Sequence, residues 1–184
     1  LEPLDLKLAR DTYLTAWSAA LVAGELAPPA GTLLDVSRAA RSVPPGAPDP
    51  EPGDLLLDGL ATMITEGNAA ARPSLRQAVD AFLGDQVVAD QWLDWGVLAA
   101  NAALALWDFD SWEACSTRHV EHARASGALA PLANALNVHR VIALWRGDGA
   151  DAARAISAGL DAAQAVAVPL SLLGLCAVGL RAAA

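Results

Sequence analysis

Lysine is almost missing from this chain. Lys7 is the only one, and arginines supply the remaining positive charge. Twelve basic side chains face 21 acidic ones, so the net charge is −9 and the pI about 4.6. An acidic surface repels phosphate, and direct binding of nucleic acid is not expected. Cysteine occurs twice, at Cys115 and Cys176, far apart and inside helical pattern. A small secreted domain would carry a denser cysteine framework, so a reducing cytoplasm fits best. No apolar run reaches the roughly 18 unbroken residues that a membrane span needs. The best stretch, Val168 to Leu180, is short and contains Pro169 and Gly174. A basic n-region with a following apolar segment is also missing, so no secretory leader is expected. β-Branched residues are sparse and no segment alternates with period two, which argues against strands.

What the chain does have is apolar bulk. Hydrophobic residues make up 54% and charged residues 18%, too apolar for disorder. A mean hydropathy of +0.34 is high for a chain with no membrane span. Alanine and leucine in closely packed helices, plus surface made to be covered, account for it. The chain opens at Leu1 without an initiator Met and closes on LCAVGLRAAA, inside a helical pattern. Both ends look cut, and a segment of a longer protein is expected.

Helical spacing runs through the whole length. Leu14, Trp17 and Leu21 share a face of a first helix, about Leu4 to Ala23, and Leu33, Val36 and Ala40 mark a second. Five prolines between Pro44 and Pro52 make 43–53 a loop. Asp54 is a plausible N-cap for a helix carrying Leu56, Leu60, Met63 and Ile64, which Gly67 ends. Pro73 suits the first turn of the next helix, with Leu75, Val79 and Phe82 on one face. A long helix follows from about Gln86 to Trp107. Asp110 with Glu113 resembles a capping box before a helix that presents Trp112, Cys115, His119 and Ala123 and stops at Gly127. Further helices are expected near 129–146 (Val138, Val141, Ile142, Trp145), 149–165 (Ala153, Ile156, Leu160, Ala163) and 169–182.

Laid over one another, these segments repeat. The turn anchors Gly24, Gly67, Asp108 and Gly147 lie 43, 41 and 39 residues apart. A near-constant period with one helical hairpin per unit is a solenoid signature. The expected fold is therefore all-α: a tetratricopeptide-like solenoid of about four stacked hairpins. Their bounds are about 4–43, 54–84, 86–126 and 129–166, with the start of a further hairpin at 168–184. Such a stack presents a concave surface suited to peptides, partner domains or ligands.

Two stretches carry a family resemblance. DLLLDGLATMITEGNAAARPSLRQAVDAF and WLDWGVLAANAALALWDFDSWEACSTRHVEHARASGALAPLANALN resemble the helical-repeat region of large actinobacterial regulators of the LuxR type. The likeness runs from about Leu4 to Ala163. It implies an AAA-like or STAND ATPase before the repeats and a DNA-binding helix-turn-helix after them. These intrachain domains, with a small-molecule or protein effector, would be the partners. The chain itself has no G-x-x-x-x-G-K-[ST] phosphate loop and no basic recognition helix. ATP and operator binding would thus belong to other domains, and no cofactor is expected here.

At each candidate site packing competes with function. Cys115, His119 and His122 fall on one helical face, but a zinc site needs a fourth ligand, and none is apparent, so no metal is expected. Trp92, Trp95, Trp107, Trp112 and Trp145 could line a groove, yet hairpin packing accounts for the set; Trp95 with Asp94 is the groove candidate. Asn101 is a polar position on the same long helix. Asn134, Asn137 and Arg140 lie on the first helix of a hairpin, where they could bind a peptide backbone or carboxylate or simply face solvent. The carboxylate pairs Asp54/Asp58 and Asp90/Asp94 lack the companion motifs of a catalytic site. No catalytic set is recognisable. The favoured role is effector binding and signal coupling in a LuxR-type regulator. A free-standing interaction adaptor comes second, and an all-helical enzyme last.

Overall fold

The computed structural model describes residues 5–24, 31–44, 50–85 and 87–166. Among them are eight α-helices and no strand: α1 (Leu6–Ala23), α2 (Leu33–Ser42), α3 (Pro52–Glu66), α4 (Asn68–Leu83), α5 (Ala89–Ala105), α6 (Phe109–Ser126), α7 (Leu129–Arg146) and α8 (Gly149–Ala165). The all-α expectation holds. The helix expected at 169–182, and with it the start of a hairpin at 168–184, lies outside the described residues. No helix among those described is long and apolar enough to cross a membrane.

Local chemistry places most helix ends. Asp5 caps α1 by accepting from the Leu8 amide at 3.0 Å. Thr32 and Asp35 form a reciprocal capping box at the start of α2. Three expectations need correction. Asp54 is not the N-cap of α3. Glu51 holds that position, Pro52 is the first helical residue, and the Asp54 carboxylate reaches back to the Glu51 amide at 3.3 Å. The proline-rich loop accordingly gives way to helix at Pro52. Pro73 is not in a first turn, because α4 starts at Asn68, directly after Gly67, whose carbonyl accepts from the Ala71 amide. Pro73 therefore sits inside the helix, where it withholds one backbone donor. Asp108, rather than Asp110, caps α6, accepting from the Ser111 amide at 3.0 Å.

The chain divides into two compact units at Ala81 and Phe82. In the first, α1 packs on α2 and α3, and α2 packs on α3. Leu14, Trp17 and Leu21, the face read from their spacing, are all buried, and Trp17 donates its indole N–H to Ser37 Oγ at 3.0 Å. Leu56, Leu57 and Leu60 add the α3 face. Gly59 lets α4 approach closely: a Cβ there would stand 2.9 Å from Leu75 Cδ2. Arg10 is buried and bonds both carboxylates of the Asp54/Asp58 pair, Asp58 Oδ1 at 2.7 Å. These two acids neutralise a core cation, so their pairing has a structural cause.

In the second unit α5, α6, α7 and α8 pack successively, and α5 also touches α7. The α7–α8 contact is built from small residues. Ala155, Ala162 and Ala163 of α8 are buried with Ala133, Ala135 and Leu136 of α7, and a Cβ at Gly159 would stand 3.5 Å from Leu136 Cβ. The face expected on α8 is therefore displaced: Ala153, Ile156 and Leu160 are exposed, and only Ala163 of that set is buried. Close approach selects the small side chains for the interface and turns the large ones outward.

Three turns of this unit share one construction. Gly127 and Gly147 adopt left-handed backbone, with φ +68° and +78°. Each begins a pair of closing bonds: Gly127 N–H to Arg124 and Ala128 N–H to Ala123, then Gly147 N–H to Leu144 and Asp148 N–H to Ala143. This is the Schellman pattern, which favours glycine at its left-handed position. The α5–α6 turn repeats it, with Trp107 N–H to Leu104 and Asp108 N–H to Ala103. Its left-handed residue is Trp107, φ +57°, the one non-glycine with positive φ among the described residues.

Candidate functional site

All six residues singled out by pattern fall in the second unit, on α5 and α7, which touch each other. Asp94 is exposed and Trp95 half-buried at the start of α5. On α7, Asn134 is exposed, while Asn137 is buried and accepts from Arg140 Nε at 2.8 Å. Asn137 thus orients the half-buried Arg140 guanidinium. Asn101 is different. It is buried, and its Nδ2 has no partner among the described residues, so it does not belong to a surface site.

Asn101 is one of several buried polar side chains on α5 and α6. Trp112 Nε1, Ser116 Oγ and His119 Nε2 are likewise buried and unpartnered. His119 packs on Gly96 of α5, where a Cβ would come within 2.6 Å of its Cγ. Burial first, and His122 second, push the His119 pKa down to about 4. Burial pushes the Cys115 thiol up to about 12, which removes thiolate reactivity at neutral pH. His122 stacks on Trp92 with ring centroids 5.8 Å apart. No group of three or more His, Cys, Asp or Glu placed to hold a metal ion occurs among the described residues.

The tryptophans divide in a way that spacing did not foretell. Trp92 and Trp112 are buried. Trp107 and Trp145, expected as core beside the turns, are 71% and 60% exposed, which corrects that reading. Phe109 and Trp145 lie 5.4 Å apart by ring centroid, with Leu144 exposed beside them. An ion pair from Arg146 to Glu113 ties the end of α7 to the start of α6. A left-handed non-glycine residue costs on the order of 1–2 kcal/mol. The anchor expected at Asp108 is one residue late: the position equivalent to Gly127 and Gly147 is Trp107, and Asp108 corresponds to Asp148.

The chain matches no family model, no curated protein and no solved structure.

Proposed function

We propose that this chain is a helical-repeat module that binds a partner or effector and couples its state to neighbouring domains, as in LuxR-type regulators. One observation carries the reading. The four anchors Gly24, Gly67, Asp108 and Gly147 fall between α1 and α2, α3 and α4, α5 and α6, and α7 and α8. Each anchor therefore lies between the two helices of a hairpin, at a spacing close to 40 residues. Within each unit, packing of α1 on α3 and of α5 on α7 agrees with stacked hairpins whose first helices line one surface. On that surface Asp94, Trp95, Asn134 and the Asn137-oriented Arg140 supply aromatic and hydrogen-bonding groups of both charge signs. Stacked units flex together, so a ligand bridging α5 and α7 shifts their population.

The open reading frame that encodes the chain gives the first test. A phosphate-loop ATPase upstream and a helix-turn-helix downstream are expected, and a frame encoding neither overturns the regulator reading. For the binding surface, Arg140→Ala and Trp95→Ala are expected to abolish any thermal shift that a metabolite screen produces with the wild-type chain. Unchanged shifts in both variants would remove α5 and α7 as the binding face.

A further inference from the structure

The rings around the α5–α6 and α7–α8 turns are not explained by packing. The indole of Trp107 lies mostly in solvent, and its backbone holds a conformation that glycine supplies at the two comparable turns. Both features disfavour tryptophan in the isolated chain, and glycine would relieve both. Strained positions of this kind concentrate where a side chain has work outside its own fold. Phe109, two residues further on, is partly exposed and pairs with the exposed Trp145 ring at the end of α7.

Charge identifies what would cover these rings. The segments 107–113 and 144–151 hold Asp108, Asp110, Glu113, Asp148 and Asp151 with the cation Arg146, and Asp151 pairs with Arg154 just beyond them. Arg146 is paired with Glu113. Asp110 is exposed and makes no ion pair among the described residues. An exposed indole attracts a cation over its face. A carboxylate close by adds a charge-assisted hydrogen bond. A second copy of this acidic chain would bring like charges together, and an anionic partner would be repelled.

We propose that the Trp107–Phe109–Trp145 patch docks a basic, arginine-bearing segment of a partner protein. A guanidinium stacks on the Trp107 indole beside Asp110, and an apolar neighbour in the segment covers the Phe109–Trp145 pair. This surface is carried by the turns rather than by the α5–α7 face, so the proposal does not depend on the role assigned to that face.

The test uses the 184-residue chain and three short synthetic peptides of equal length. In them arginine, glutamine or glutamate alternates with leucine, and binding is read by calorimetry. The arginine peptide is expected to bind in the micromolar range, more weakly as salt rises, and the glutamate peptide not at all. Trp107→Gly should weaken the arginine peptide by about tenfold while raising the melting temperature by a few degrees. This variant separates loss of the ring from loss of the fold. Asp110→Asn, at an exposed position, should weaken binding about threefold and leave melting unchanged. Equal binding of the arginine and glutamine peptides would overturn the proposal, as would full affinity in Trp107→Gly. So would light scattering that shows a dimer which Trp107→Gly converts to monomer, because the patch would then serve self-association.

Discussion

At the scale of single residues, the three Schellman turns form an internal comparison. Gly127, Gly147 and Trp107 occupy one backbone conformation, and a Cβ at either glycine would meet nothing within 4 Å. Any cost of a side chain there is thus conformational. Gly147→Ala is expected to destabilise the chain by about 1 kcal/mol. Trp107→Gly is expected to stabilise it by up to about 1 kcal/mol, because relief of strain exceeds the added freedom of the unfolded chain. Urea denaturation of both variants checks the pair, and equal signs would contradict the strain. Spacing made the turn at Trp107 legible but not the exposure of its indole. Tryptophan at a helix end looks like core by hydrophobicity alone, and only backbone hydrogen bonding shows that the position is left-handed. Asn101 illustrates the converse. A polar residue at helical spacing resembles a solvated face, yet the α5–α6 contact buries it.

Between elements, the α5–α6 contact is set by Gly96 against the His119 ring. Gly96→Ala should cost about 1–3 kcal/mol, because the ring has no room to retreat in a packed interface. The same contact makes this hairpin sensitive to acid. In the unfolded chain His119 takes up a proton near its ordinary 6.5, but in the fold only near 4. Between those values the unfolded state holds more protons. Stability is therefore complete above about 6.5 and falls as pH drops toward 4. The full loss is about 3 kcal/mol. On the facing helix the neighbour is Gly96, and the one charge that adds to burial is His122. His119→Phe should flatten this part of the pH profile, measured as the difference in urea midpoint between variant and wild type from neutral pH down to about 4. A constant difference across that range would show that His119 does not titrate in this way. On α4, Pro73→Ala restores a backbone donor and should raise stability by about 1 kcal/mol in the same assay. The α7 boundaries and the start of α8 were legible because Gly127 and Gly147 mark them. The α4 start was not, since Pro73 fits a first turn by residue type while the helix already begins after Gly67.

For the whole molecule, the places of the turns at Gly24, Gly67, Asp108 and Gly147 were legible because turn chemistry is local. Which side chains each hairpin turns outward depends on its neighbours. On α8 the small residues took the interface and displaced Ile156 and Leu160 outward, so the expected face was wrong. Net charge is the property of the whole that composition settles outright, and it bears directly on partner choice. Counterion release from DNA requires a face whose cations neutralise phosphates, and this chain carries 12 basic against 21 acidic side chains in all. Several of its arginines are already engaged within the fold: Arg10 with Asp54 and Asp58, Arg41 with Glu66, Arg146 with Glu113 and Arg154 with Asp151. Duplex DNA should therefore show no mobility shift with the chain at micromolar concentration and roughly physiological ionic strength. The arginine peptide described above should bind under the same conditions. The two assays oppose each other in sign, because one probe is a polyanion and the other a polycation. Lowering the salt should strengthen peptide binding and still leave DNA unshifted. A duplex retarded at low salt would require a cationic face that the ion pairs above do not provide, and would count against both the charge argument and the proposed basic partner.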